Sequence, residues 1–273
     1  MSVKFVAADL GMSVIDLVIQ TDAGLTRLKL ENEGRDVVEQ LRQALNAIEL
    51  PLAPGTVLGV TGGRYRSLPE VVDGIRVRKV DEMAAMGLGG LALAGLDEGL
   101  VVSAGTGTAM VAARKDDVHH VTGSAVGGGT LLGLSKLIIG TGDVREIDRL
   151  AMAGDASAVD IMLSEAVGGE VGRLPATANA VNLGKLDREN GFTKENLAAG
   201  LVRLAAQVIA VIAINAANAE NLTEIVMIGH LMDLKSIRRE INLVGEFYNR
   251  DFTIPENPGF GTAMGVLEIL KAG

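Results

Sequence analysis

The chain has 273 residues, 25 Lys and Arg against 34 Asp and Glu, and a net charge of −9. With 48% hydrophobic and 22% charged residues it is long and apolar enough for one large domain or two smaller ones, which excludes global disorder. The absence of cysteine excludes disulfides, zinc–thiolate sites and thiol nucleophiles, while 3% aromatics and no Lys/Arg cluster argue against nucleic acid as a partner.

Val3–Asp9 reads as a strand, Leu10–Ser13 as a turn, and Val14–Gln20 and Leu25–Leu30 as the next two strands, with Gly34 ending the meander. Asp36 can cap a helix whose apolar face is Val37, Val38, Leu41, Leu45 and Ile48, with Glu39 at the capping-box position; Pro51 and Pro54 stop it. Thr56–Val60 and Ile75–Val80 are further strands, and Arg76 and Arg78 alternate toward solvent. Asp81 or Glu82 starts a helix that ends near Gly95.

Leu100–Ala104, Ala109–Ala113 and Val118–Thr122 form a second run of strands, with Arg114–Asp117 between the last two. Helices are expected through Leu137 after Gly127–Gly129, over Val144–Ala153, over Ala156–Ala166, and from Lys194 to about Ala219 behind a Thr193 cap. On that last helix Leu197, Leu201, Leu204, Val208 and Val211 recur at three and four residues, so one buried stripe is expected. Its apolar part, Leu204–Ala219, is too short for a bilayer of about 30 Å and reads as a buried helix. A strand at Glu224–Ile228, a helix near Asp233–Val244, a strand at Phe252–Ile254 and a helix at Gly259–Leu270 complete the chain.

Each half therefore runs strand, glycine loop, strand, strand, helix, strand, helix. The expected architecture is α/β: two duplicated mixed-sheet lobes, residues 1–97 and 98–273, with a cleft between them. The turns at Asp9–Ser13 and Gly105–Thr108 face each other across that cleft.

Several residues there can carry chemistry. Gly105-Thr106-Gly107-Thr108 is either an anion-binding nest or a hairpin bulge. Gly127-Gly128-Gly129-Thr130 either opens a helix N-terminus to phosphate or makes a tight helix–sheet contact. Asp9 can hold Mg²⁺ through water or simply serve the turn. His119 and His120 are adjacent on a strand and face opposite ways; with His230 they read as unlinked polar residues rather than a metal site. No P-loop lysine follows Gly133, and Gly105–Gly107 lacks the third glycine of a dinucleotide fingerprint. The N-terminus MSVKFVAADLG carries no signal-peptide pattern, and the expected location is the cytosol.

Val121-Thr122-Gly123-Ser124 through Gly127-Gly128-Gly129-Thr130-Leu131-Leu132-Gly133-Leu134 resembles the nucleotide loop and following helix of the type II pantothenate kinases. Gly105–Thr108, Thr61-Gly62-Gly63, Ala180–Gly184, Met227-Ile228-Gly229 and Phe260–Gly265 are also similar. The resemblance implies an actin-like, ribonuclease H-like fold and phosphorylation of a primary hydroxyl of pantothenate by ATP with Mg²⁺. It implies ATP contacts at Gly11, Ser13, Gly105–Thr108, Gly127–Thr130 and Gly229, and acceptor contacts at Ala109, His120, Thr122 and Gly123. It also implies a homodimer through the helical second lobe, with the Lys194–Ala219 helix as a candidate surface.

The chain departs from that pattern at working positions. Met12 stands where the family has glycine, Asp16 where it has lysine, Val80 at the ungapped position of the catalytic glutamate, His120 at an arginine and Ala109 at a serine. Glu82 or Asp81 then becomes the expected base. Two functions compete: an ATP-dependent small-molecule kinase, or a nucleotide- or ligand-binding relative that has lost catalysis and acts as a sensor or partner protein. An assembly protein ranks last, since the chain is short and lacks an obvious substrate domain.

Overall fold

Near-continuous apolar runs build the central strands of the first sheet, as strands buried on both faces require. The computed structural model describes residues 3–33, 36–50, 52, 56–114 and 117–273. The expected stops at Gly34, Pro51 and Pro54, and part of the expected 114–117 turn, lie outside the described residues. β1 (Val3–Leu10), β2 (Val14–Thr21) and β3 (Gly24–Glu31) form the antiparallel meander. α1 (Val37–Asn46) starts where the Asp36 carboxylate accepts the Val38 and Glu39 N–H groups at 2.8 and 3.0 Å. β4 (Val57–Thr61) runs parallel to β1 and puts Thr61 beside Asp9. β5 (Val71–Val72), too short to read from sequence, pairs with β6 (Ile75–Lys79), which is parallel to β4. The order is β3-β2-β1-β4-β6-β5. α2 (Glu82–Ala94) ends at Gly95 in the left-handed conformation.

The second lobe repeats the pattern with β7 (Glu98–Ala104), β8 (Thr108–Arg114) and β9 (Asp117–Ser124). Next come α3 (Gly128–Ile138), α4 (Val144–Ala153), β10 (Ile161–Met162), α5 (Leu163–Ala166), β11 (Asn179–Val181) and α6 (Lys194–Ala219). β12 (Ile225–Ile228) pairs parallel with β7, giving β12-β7-β8-β9; α7 (Lys235–Tyr248) and α8 (Gly261–Lys271) follow.

Two expectations need correction. The helix expected over Ala156–Ala166 is a short 3-10 turn, β10 and the one-turn α5. Tertiary hydrogen bonds win there: the buried Asp160 carboxylate accepts the Leu183 N–H at 2.8 Å, and the Leu163 N–H donates to the Ala178 carbonyl at 2.8 Å. The strand expected at Phe252–Ile254 is a single bridge, with Thr253 hydrogen-bonded to Ile225 and Met227.

The duplication is sharper in space than in sequence. β3-β2-β1-β4 and β9-β8-β7-β12 have the same order and the same parallel and antiparallel pairings. Gly62, after β4, has φ 109° and presses on the Leu10 backbone; Gly229, after β12, has φ 96° and presses on the Ala104 backbone. Both sites need positive φ and no Cβ. The lobes also exchange helices. α2 follows the first sheet but packs on the second, against Val101, Val111 and Val226. α8 follows the second but packs on the first, with Val266 and Leu267 beside Ala7 and Val18. The two helices cross backbone to backbone at Gly89 and Gly265.

α6 is the core helix of the second lobe. The expected buried stripe is displaced: the buried face is the alanine-rich series Ala198, Leu201, Val202, Ala205, Ala206, Ile209, Ala210 and Ala213, whose small side chains let the helix sit close to its sheet, while Leu197, Leu204, Val208 and Val211 are only half-buried. With 26 residues it is long and apolar enough to cross a membrane by length and composition, a stretch longer than the sequence reading allowed. Most of its apolar window is buried in this lobe, as for a core helix.

Candidate active site in the interlobe cleft

The cleft is bounded by the β1–β2 turn on one lobe and the β7–β8 turn on the other. Their tips meet where the Ser13 and Thr106 hydroxyls hydrogen-bond at 3.0 Å. Asn32 braces the first turn: its amide donates to the Gly11 carbonyl at 2.8 Å and the Met12 carbonyl at 3.2 Å. Met12 points outward with 80% of its surface exposed.

The second turn packs on the start of α3. The Gly128 N–H donates to the Gly105 carbonyl at 2.8 Å and the Gly129 N–H to the Thr106 carbonyl at 2.9 Å. A Cβ at Gly127 would collide with Gly107. The glycine run thus serves a tight loop–loop contact, and two donors at this helix N-terminus are already engaged. The Thr130 hydroxyl donates to the Ala125 carbonyl, and the Thr108 hydroxyl to the Val126 carbonyl, both at 2.9 Å. Gly229 closes the far side, its N–H donating to the Pro258 carbonyl at 2.8 Å.

Asp9 is the penultimate residue of β1, at the cleft floor. Burial, with the nearby negative charges of Asp16 and Glu82, pushes its carboxyl up to about 7; the His230 charge and a hydrogen bond from Thr262 oppose the rise. Thr61, fully buried next to Asp9, has a hydroxyl without a hydrogen-bond partner among the described residues. Asp16 is 5% exposed and accepts from His230 Nε2 at 2.9 and 3.0 Å. The role of His230 was not legible in the sequence, where it stood only as a residue after a glycine.

Asp81 and Glu82 divide their duties. Asp81 is the N-cap of α2, accepting the Met83 and Ala84 N–H groups at 3.0 and 3.2 Å. Tyr65 and Arg66 donate to its other oxygen at 3.2 Å each. Glu82, the first helical residue, is half-buried, and burial and the Asp81 charge raise its proton affinity, with Arg66 opposing. Val80 is 3% exposed and packed into the α8 core, out of the cleft.

On the other side of α2, His120 lies opposite Val111 and Gly123 opposite Ala109, both on the face of the second sheet that α2 covers. The register shifts between these pairs, so one extra β9 residue is accommodated. Thr122 pairs with Met110, which faces the α6 core, so Thr122 is turned away from the other three residues. That bulge has no sequence signature. Among the described residues no group of three or more His, Asp or Glu is arranged to hold a metal ion.

The charge cluster at Asp9 predicts a trade-off. A carboxyl that titrates near 7 folded and near 3.8 unfolded binds its proton more tightly in the fold, so stability falls as pH rises through that window. Asp9→Asn removes the cost and is expected to stabilise the free protein at neutral pH by on the order of 1–4 kcal/mol. The gain should vanish below about pH 4. Urea unfolding of both proteins at the two pH values measures it.

A family model described as Fumble matches residues 99–256. The type II pantothenate kinase of Oceanobacillus iheyensis is 25% identical over 271 residues, covering 97% of this chain and 98% of that one. Component A of the (R)-2-hydroxyglutaryl-CoA dehydratase of Acidaminococcus fermentans superposes with a TM-score of 0.67 at 15% identity, over 97% of this chain and 96% of that one. A ROK family glucokinase from Streptomyces griseus, solved with glucose and AMPPNP, gives a TM-score of 0.57 at 13% identity and covers both chains fully. The fold is therefore the two-lobed α/β architecture of these proteins, and kinase chemistry is supported. The chain belongs to the Fumble family, the family of the type II pantothenate kinases.

Proposed function

We propose that this chain transfers the γ-phosphoryl group of ATP to a primary hydroxyl of pantothenate or a close relative, with Glu82 as general base. The observation that carries the reading is the position of Glu82. It starts α2, its charge acts through space on Asp9, and its proton affinity is raised in the direction a base requires. Its carboxylate takes the hydroxyl proton, the acceptor oxygen bonds to the γ-phosphorus, and ADP leaves with the bond to the bridging oxygen. Asp81 holds the helix end and Tyr65 in place.

The residues present fit Mg²⁺ in the form that keeps waters and phosphate oxygens as ligands, since that ion needs only one or two carboxylates. Asp9, crowded by Asp16 and Glu82 and next to the unpartnered Thr61 hydroxyl, would hold it. When bound, the ion neutralises phosphate charge. The half-buried Leu204 and Val208 on α6 support self-association through that helix, and the absence of cysteine fits the cytosol.

The test is pantothenate-dependent ADP release by the pure protein with ATP and Mg²⁺. Turnover is expected; no ADP with pantothenate or other hydroxyl acceptors would sink the reading. One observation favours the non-catalytic alternative: the Gly128 and Gly129 N–H groups are committed to carbonyls rather than open to phosphate. A protein that binds an ATP analogue but never turns over would fit that second reading.

A further inference from the structure

His230 joins the two lobes. It sits on the second lobe, just after β12, and its Nε2 reaches both oxygens of Asp16 on β2 of the first lobe. Its Nδ1 lies 2.7 Å from Asp233 Oδ2 and 3.1 Å from Lys29 Nζ, which belongs to β3 of the first lobe. Lys29 is 4.0 Å from Asp233, a second pair across the same seam. The ring is 19% exposed, rests against Gly259 and meets Phe260 edge-on, so it is held in one orientation.

Away from the α2–α8 crossing, the seam has little else to hold it shut. Ser13 and Thr106 touch through one exposed hydrogen bond, and such a bond contributes about 1 kcal/mol or less. α2 and α8 cross closely at Gly89 and Gly265, with Ala85 packed among Ala263, Met264 and Leu267. A close crossing of this kind can act as a pivot, and charge pairs away from it then decide whether the turns stay together. With the two turns in contact, a polyphosphate chain cannot lie between them.

We propose that Asp16 and His230 form an interlobe latch that holds the β1–β2 and β7–β8 turns together and must release before a nucleotide is admitted. The nucleotide half of this statement rests on the function proposed above; the latch itself does not. Burial lowers the proton affinity of His230, but the hydrogen bonds to Asp16 and Asp233 outweigh it and hold the imidazolium up to about 9, with Lys29 opposing. The groups facing the ring are Asp16 from β2, Lys29 from β3 and Asp233 from its own turn; Gly259 and Phe260 before α8 are uncharged, and Asp9 on β1 acts through space. The imidazolium is thus the form present at neutral pH, and the latch weakens as pH rises through about 9.

The cysteine-free chain allows a direct test. Spin labels at Glu49→Cys on the first lobe and Lys136→Cys on the second report the interlobe distance without any nucleotide. At neutral pH the otherwise unaltered protein should give one narrow distribution. Asp16→Asn and His230→Gln should each broaden it toward longer distances, the double variant should add little, and raising the pH past about 9 should do the same without mutation. Association of a fluorescent ATP analogue should quicken about tenfold in each variant, because the open form that admits it is then populated without a release step. Unchanged distances in both variants and at high pH would overturn the latch. Shifted distances with no nucleotide bound to any form would leave the latch standing and remove the nucleotide reading instead.

Discussion

Glu82→Gln is expected to lower turnover by about 10²–10⁴-fold with little change in stability. The substitution keeps the size and shape of the side chain and removes only its ability to accept a proton. The helix start should survive, because Asp81 and not Glu82 caps it. The pH profile is the sharper readout. Glu82 works as a carboxylate, and its proton affinity is raised above the ordinary glutamate value of 4.5. Turnover should therefore rise with pH through an acid limb above that value, and the limb should be missing from whatever activity Glu82→Gln retains. Asp81→Ala should behave differently, losing about 0.5–2 kcal/mol of stability with the cap and losing activity only in proportion. Equal activity of Glu82→Gln and the parent protein would end the assignment of Glu82 as base.

Gly265→Ala is expected to be the most damaging single-methyl change in the fold. A Cβ there would lie inside the contact distance of the Ala85 carbonyl oxygen, and one at Gly89 would do the same to the Gly261 carbonyl. Backbone atoms cannot rotate away as a side chain can, so α2 and α8 must separate. Overpacking of this kind costs about 1–3 kcal/mol, and more where the backbone itself must move. The damage extends to both lobes, since each of these helices packs on the sheet of the other lobe. Gly133→Ala on α3 is the control: nothing lies within 4 Å of its added methyl, and a helical glycine gains up to about 1 kcal/mol as alanine. Urea denaturation of the two variants should give opposite signs. A Gly265→Ala protein as stable as the parent would show that the helices do not cross this closely.

Most of the architecture was legible because it is written in local patterns. Apolar, β-rich composition marked β1, alternation marked β3, a capping aspartate marked α1, and Thr193 marked the start of α6. The repeated order of elements gave the duplication, while the equivalence of Gly62 and Gly229 emerged only in space. Local pattern failed where a distant partner decides the outcome. Ala156–Ala166 has helical composition, yet the Leu183 N–H on Asp160 and the Ala178 carbonyl on Leu163 break it up. The glycine run before α3 reads the same whether it serves a phosphate or the carbonyls of Gly105 and Thr106.

The sequence by itself determined the two-lobed mixed-sheet plan, the family, and the short set of acidic residues among which a base is to be sought. Tertiary structure alone decided that Asp81 caps while Glu82 stands free of that duty, and that Thr122 turns away from His120 across a bulge. It also decided that Asp16, 214 positions from His230 in the chain, is that residue's partner across the cleft. The physical reason is range. Propensity, capping and periodicity act over a few residues and can be read along a chain, whereas charge pairing, desolvation and backbone contact depend on distances that only the assembled lobes set.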